Sequence, residues 1–230
     1  MSLSTSAGFR RPSPLILEVE RAAICSHARR LAPDGLAVAT SGNLSIRDGA
    51  LVAVTPTGVR YSTLKPSDIP IVGLDGEPVD GSLRPTSELP MHLAVYNHAT
   101  DPDGSPVNAV VHTHSAHATA VSTLVDELPP IHYLVATIGP SVRVAPYATY
   151  GTAALATHIL TALESRRGCL LANHGTVTYG ATLGAAYDRA RQLEWLCQVW
   201  LLARSGGTPA LLPQDEIEQV VEKLRGYGQG

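Results

Sequence analysis

The run Ala109-Val110-Val111-His112-Thr113-His114 constrains this chain more than any other. Three small or β-branched apolar residues in succession read as a buried strand. Side chains alternate faces along a strand, so His112 and His114 point the same way. Two imidazoles on one face of a rigid element can grip a single metal ion, and imidazole suits zinc and its neighbours. The plainer reading of His-x-His is two independent histidines, one of them capping the following helix. The rest of the chain favours the metal, because it supplies a third histidine, a carboxylate and a set of small-residue loops.

The third histidine ends the stretch Gly168-Cys169-Leu170-Leu171-Ala172-Asn173-His174-Gly175. A continuous apolar strand stops at Asn-His-Gly, and a second strand returns over Val177 to Tyr179. A histidine at a strand end beside a glycine is well placed to be a ligand; alone it would be read as an ordinary histidine. The carboxylate is Glu88, in Pro85-Thr86-Ser87-Glu88-Leu89-Pro90. Thr86 or Ser87 is a natural N-cap and Pro90 suits a first turn, which predicts a helix to about His98 with Leu89, Leu93 and Tyr96 buried. Glu88 then falls in the first helical turn. There it complements the helix dipole or, beside an anion, serves in metal ligation or proton transfer.

Two loops carry a hydroxyl beside a glycine. The stretch Ala37 to Ile46 reads as a strand, a tight polar loop at Gly42-Asn43, and another strand; Thr55-Pro56-Thr57-Gly58 follows a strand over Ala50 to Thr55. Gly42 and Asn43 both tolerate positive φ, and backbone N–H groups in such turns can converge on an anion. Each alone reads as a plain turn; the two together point to a phosphate cradle.

The remaining elements alternate irregularly. Helices are expected over Leu15–Leu31, Ser115–Leu124, Gly151–Glu164, Thr182–Ser205 and Asp215–Arg225, with a hairpin about Asp75-Gly76 and a short strand over Val142–Ala145. His117 reads as a neighbour of the metal site or as core, and His158 as surface. Trp195 and Trp200 read as packing or subunit contacts. The pattern favours a single α/β domain, layered about a largely antiparallel sheet, over residues 15–230, with residues 1–14 as a loose tail. The 230 residues are 44% apolar and carry a net charge of −3, so nothing suggests a nucleic-acid footprint. No run approaches a membrane span, and the N-terminus lacks the apolar region of a signal peptide. Cys25, Cys169 and Cys197 fall in apolar periodic segments, which points to buried free thiols and a cytoplasmic protein.

Three histidines, one carboxylate and an open position describe a catalytic metal site, and the loops suggest a phosphorylated small substrate. A metal beside a carboxylate base suits proton removal next to a carbonyl. In this light the chain resembles the class II L-fuculose-phosphate aldolase family, which shares its fold with L-ribulose-5-phosphate 4-epimerase and the adducin head domain. The resemblance spans about Leu15 to Tyr227. It rests on Thr-Ser-Gly-Asn at 40–43, Thr-Pro-Thr-Gly-Val at 55–59, Pro-Thr-Ser-Glu at 85–88 and Val-His-Thr-His-Ser-Ala-His at 111–117. It continues with Ile-His-Tyr at 131–133, Ala-Pro-Tyr-Ala-Thr-Tyr-Gly-Thr at 145–152, Asn-His-Gly at 173–175 and Tyr-Gly at 227–228.

The resemblance implies a three-layer α/β/α sandwich around a mostly antiparallel sheet and a cyclic homotetramer with sites at subunit interfaces. It implies that His112, His114 and His174 hold zinc, with Glu88 as a fourth ligand that substrate displaces and that then becomes the acid/base at carbon. Asn43, Thr57, Gly58, Thr86 and Ser87 would bind the phosphate, with Thr40 beside them. Tyr133 of a neighbouring subunit would exchange the proton on the aldehyde-side oxygen, and Tyr227 would close over the site. The reaction implied is reversible cleavage of L-fuculose 1-phosphate or a close analogue to dihydroxyacetone phosphate and a short aldehyde such as L-lactaldehyde. Thr86 stands where the family more often has Ser, a mild change.

Three alternatives stay open: a pentulose-phosphate 4-epimerase, an aldolase for 5-deoxyribulose or methylthioribulose 1-phosphate, and a non-catalytic scaffold like the adducin head. Ile-His-Tyr and the Tyr-Gly tail favour aldolase over epimerase. A scaffold would be expected to have lost metal ligands, and all four are present.

Overall fold

The computed structural model describes residues 15–225. The expected tail over residues 1–14, and Tyr227, lie outside the described residues. Among the described residues nine strands form one sheet: β1 (Asn43–Asp48), β2 (Leu51–Val54), β3 (Ile71–Gly73), β4 (Pro78–Asp80), β5 (Ala109–Thr113), β6 (Glu127–Leu128), β7 (Val142–Ala145), β8 (Gly168–Leu171) and β9 (Gly175–Gly180). Their order is β4-β3-β2-β1-β5-β9-β8-β7-β6. Every neighbouring pair is antiparallel except β7 with β8. The described α-helices are α1 (Glu18–Leu31), α2 (Leu89–His98), α3 (Ala116–Ser122), α4 (Ala153–Ala162), α5 (Leu183–Ser205) and α6 (Gln214–Arg225).

Strand alternation divides the core into two faces, and this makes the expected three layers. In β5, Ala109 and Val111 pack with Leu44, Ala53 and Ile71 against Ile24, Ala28 and Leu31 of α1 and Ala186 and Ala190 of α5. Val110 faces the other way, with Val52, Val54 and Val177, toward Val95 of α2 and Leu155 and Ile159 of α4. At the far end of the sheet, Val142 and Leu170 join Val121 of α3, Leu196 and Trp200 of α5 and Ile217 of α6. Fully burying one such side chain contributes about 1.5–3 kcal/mol, so two-sided burial of the central strands accounts for much of the fold's stability. The three cysteines are free and buried, as expected.

Local signals explain the helix ends. The first turn of α1 holds Glu18 and Glu20 and its last turn Arg29 and Arg30, each sign complementing the helix dipole. Thr182 caps α5 by accepting from the Ala185 N–H at 3.1 Å. The Arg167 guanidinium meets the buried carboxylate of Asp101, Nη2 to Oδ1 at 2.7 Å and Nε to Oδ2 at 2.9 Å, and ties the loop after α2 to the start of β8.

Three expectations need correction. Residues 37–42 form bends and turns, not a strand, with φ of 56° at Ala39 and 76° at Gly42. Both edges of β1 are taken by β2 and β5, so no slot remains for a further strand there. The segment instead satisfies itself, Val38 N–H to Ser41 Oγ at 3.0 Å, and offers its Leu36 carbonyl to His114 N–H at 3.0 Å. Second, α2 begins at Leu89, so Glu88 holds the N-cap position and is not inside the first turn. Third, the buried residues of α2 are Met91, His92, Val95 and Tyr96, while Leu89 and Leu93 are only partly covered.

Candidate active site

The sheet register builds the site. Asn43 on β1 pairs directly with His112 on β5, and His112 pairs with Val177 on β9. His112 is fully buried and His114 follows at the end of the strand. The β8–β9 turn carries Asn173 at φ 57° and delivers His174. This turn must pass close to β5: a Cβ on Gly175 would run into the Thr113 carbonyl. Gly42 is held in the same way, since a Cβ there would lie 2.9 Å from the His112 carbonyl, at a φ that also favours glycine.

Glu88 arrives from the opposite side. The Pro56–Pro85 bridge, Thr57 N–H to the Arg84 carbonyl at 3.1 Å and Thr86 N–H to the Thr55 carbonyl at 3.0 Å keep the chain extended up to α2. Thr86 Oγ1 then accepts the Glu88 N–H at 3.2 Å. This docking brings Thr57 and Gly58 beside Thr86 and Ser87.

The donor atoms of Glu88, His112, His114 and His174 all lie within 4.8 Å of one another. Nε2 of His114 is 2.9 Å from Nε2 of His112 and 3.2 Å from Nε2 of His174. Glu88 Oε2 is 3.1 Å from His112 Nε2, and Oε1 is 3.2 Å from His174 Nε2. A tetrahedral zinc with ligand bonds of about 2.0–2.1 Å separates its donors by about 3.3 Å. The rings stand edge to face, with centroids 4.7, 4.8 and 4.7 Å apart.

The donor chemistry fits a cation. Nδ1–H of His112 donates to the Thr176 carbonyl at 2.8 Å, which leaves Nε2 to face its neighbours with a lone pair. Buried Glu88 Oε1 has no hydrogen-bond partner among the described residues, despite its approach to His174. One proton among these atoms would satisfy one pair; a divalent ion satisfies all four. Burial, with the neighbouring imidazoles of His112 and His174, pushes His114 down to about 3, so its imidazole is neutral and ready to ligate. Burial works to raise the Glu88 carboxyl, but the neighbouring imidazoles of His112 and His174 and the N–H₂ group of Asn43 outweigh it. The net effect holds Glu88 ionised, well below the usual carboxylate range.

A cavity of about 450 Å³ opens over this cluster. Glu88, His114 and His174 line it, and so do all five expected phosphate residues: Asn43, Thr57, Gly58, Thr86 and Ser87. Thr40 also reaches it. His112 lies beneath, closed from solvent. Tyr133 is 48% exposed and does not line this cavity in its own chain. His117 is not drawn into the cluster; its Nδ1 meets Glu194 Oε1 at 2.6 Å.

Sequence reading missed several residues. Tyr61 lines the cavity and donates its hydroxyl proton to the Gly42 carbonyl, bracing that turn. Tyr147 and Tyr150, both exposed, also line the cavity. Behind Asn43 lie buried His92, Ser45 and Tyr96. A signal for these existed: Glu88, His92 and Tyr96 recur every four residues and so share one face of α2.

With this fold and this constellation, the chain belongs to the family described as class II aldolase and adducin N-terminal domain, whose profile matches residues 22–201. It is 41% identical over 217 residues to the 5-deoxy-D-ribulose 1-phosphate aldolase of Bacillus thuringiensis, a match covering 94% of this chain and all of that protein. It is 40% identical over 198 residues to the L-fuculose phosphate aldolase of Escherichia coli, covering 84% of this chain and 88% of that one. A solved L-fuculose 1-phosphate aldolase superposes with a TM-score of 0.85 at 36% identity, covering 90% of this chain and 96% of the other. Among the described residues, no helix is long and apolar enough to cross a membrane.

Proposed function

We propose that this chain is a zinc-dependent aldolase that reversibly cleaves a ketose 1-phosphate to dihydroxyacetone phosphate and a short aldehyde. The observation that carries this reading is the convergence of three imidazoles and the Glu88 carboxylate on one point, at the floor of a cavity walled by the Thr57–Gly58 and Thr86–Ser87 loops. The full-length likeness to a 5-deoxy-D-ribulose 1-phosphate aldolase supports that sugar phosphate as substrate, with acetaldehyde as the second product. L-fuculose 1-phosphate, releasing L-lactaldehyde, is the second reading and is supported by relatives of nearly equal identity.

Cleavage breaks the C3–C4 bond. The O4 proton leaves, O4 becomes the aldehyde carbonyl, and the electron pair retained at C3 takes up a proton. His112, His114 and His174 would hold the ion, with Glu88 as fourth ligand in the absence of substrate. Such an ion supplies positive charge to the substrate oxygens, worth several kcal/mol in the transition state. In the condensation direction the ionised Glu88 carboxylate, at the cavity floor, takes the proton from C3; in cleavage the protonated carboxyl returns that proton to C3. Asn43, Thr57, Gly58, Thr86 and Ser87 bind and orient the phosphate through hydroxyls, amides and backbone N–H groups. Tyr133 of the partner subunit, in a cyclic homotetramer, handles the O4 proton; its exposure outside its own chain's cavity supports this assignment. The buried free thiols support a cytoplasmic setting.

The test is release of dihydroxyacetone phosphate, followed by coupled reduction, from 5-deoxy-D-ribulose 1-phosphate, L-fuculose 1-phosphate and L-ribulose 5-phosphate, before and after chelation. Chelator-sensitive release from a ketose 1-phosphate is expected. Epimerisation of the pentulose phosphate without release would replace this reading by the 4-epimerase one.

A further inference from the structure

A chain of buried polar groups runs away from the cluster of Glu88 and the three histidines into the core between α2 and the sheet. Asn43 joins Glu88, His92 Nε2 meets Asn43 Oδ1, Ser45 Oγ lies 2.7 Å from His92 Nδ1, and Tyr96 OH lies 2.6 Å from Ser45 Oγ. His92 and Ser45 are fully buried and Tyr96 nearly so.

The direction of every bond in this chain follows from one fact. The Asn43 atom facing Glu88 Oε2 is the amide N–H₂ group, which donates to it. The amide oxygen then faces His92, which must donate from Nε2–H. A neutral imidazole that donates from Nε2 accepts at Nδ1, so Ser45 donates to it. Ser45 has then spent its one proton, and Tyr96 must donate to Ser45. Burial pushes His92 down to about 3, so the ring stays neutral and keeps one tautomer near neutrality. None of these groups reaches the cavity except Asn43.

We infer that His92, set by Ser45 and Tyr96, is a positioning residue: it locks the Asn43 amide so that its N–H₂ group faces Glu88 and holds that carboxylate in place. The inference rests on the aldolase reading for the role of Glu88. Without the relay, Asn43 can turn its oxygen toward Glu88, and acceptor then faces acceptor. The device therefore acts on the proton-transfer group and leaves the three imidazoles untouched.

Two measurements test it together. In chelator-treated protein labelled with ¹⁵N-histidine, two-bond ¹H–¹⁵N correlation reads which nitrogen of His92 carries the proton. The expected result is the Nε2–H form, unchanged between about pH 6 and 8, with an Nδ1–H population appearing in Ser45→Ala. In metal-loaded protein, Ser45→Ala and His92→Leu should lower kcat by about 10- to 100-fold, the usual range for such outer partners. Bound metal should stay at full stoichiometry. His92→Gln, whose amide can present an N–H near the Nε2 position, should recover part of kcat. An Nδ1–H tautomer in the wild type, or wild-type kcat in folded Ser45→Ala, overturns the inference. If His92→Leu does not fold, Ser45→Ala and His92→Gln decide it. If the wild type cleaves no ketose 1-phosphate, the aldolase reading falls, while the tautomer still upholds or overturns the locked amide.

Discussion

The side-chain amide of Asn43 donates to Oε2 of Glu88 at 2.9 Å, across 45 residues of sequence. The bond exists because β1 pairs with β5 in the register that sets Asn43 opposite His112. Asn43→Asp would replace this donor by a second carboxylate. Like charges in contact raise one proton affinity sharply, so Glu88 should protonate at higher pH. The expected outcome is a fall in kcat of at least about tenfold and an acid limb of the pH–rate profile shifted upward. A profile that superposes on the wild type would show that the Asn43 contact does not set the state of Glu88.

Glu88→Gln keeps the size of the side chain and removes its proton-transfer capacity. Turnover should fall by about 10²- to 10⁴-fold, while elemental analysis still finds one divalent ion per chain held by the three histidines. Retained turnover would take Glu88 out of the chemistry.

His174→Ala removes one of three imidazoles and leaves His112 and His114. Metal affinity and activity should fall together, and competition with a coloured chelator reads the first independently of the second. A full metal content in this variant would mean the ligand set has been drawn wrongly.

The buried histidines make the metal-free protein acid-sensitive. Burial lowers His92 from 6.5 to about 3, and His114 shifts the same way. Below pH 6.5 the unfolded chain takes up a proton that folded His92 refuses until about pH 3. Stability is therefore complete above about 6.5 and declines as pH falls through that window. For His92 alone the decline reaches about 1.4 kcal/mol per pH unit. Urea unfolding of chelated protein at several pH values should show it, with a shallower slope in His92→Gln.

Gly175→Ala sets a methyl group against the Thr113 carbonyl, a backbone atom that cannot swing aside. Separating β9 from β5 there should cost about 1–3 kcal/mol, and calorimetry should find Tm lower by about 2–4 °C for each kcal/mol. Because His174 precedes this residue, metal affinity should weaken as well.

Much of the architecture was legible because period and punctuation agreed. The continuous apolar runs at Ala109–Val111 and Gly168–Leu171 became central strands, and the 3.6-residue pattern after Thr182 became α5. The strand expected over residues 37–40 failed for a reason no local window contains: the edges of β1 were already occupied. The stripe on α2 was misjudged because a buried face there includes His92 and the Tyr96 hydroxyl. Polar side chains look like solvent-facing ones until their partners are known.

The histidines were marked as candidate donors by sequence alone. Alternation along a strand places His112 and His114 on one side, a glycine after His174 allows a close turn, and hydroxyl–glycine loops mark candidate anion sites. These follow from backbone geometry over a few residues. Only the tertiary structure decided that Glu88 meets the histidines, that Asn43 is committed to Glu88, and that His92, Ser45 and Tyr96 stand behind it. The contacts of Asn43 and Ser45 join residues 45 to 51 positions apart, between β1 and α2 with its N-cap. They exist only because β1 pairs with β5 in one register while the core on the other face of the sheet holds α2 in place. Register and layer packing are long-range choices, settled by burying one whole face of each strand at once.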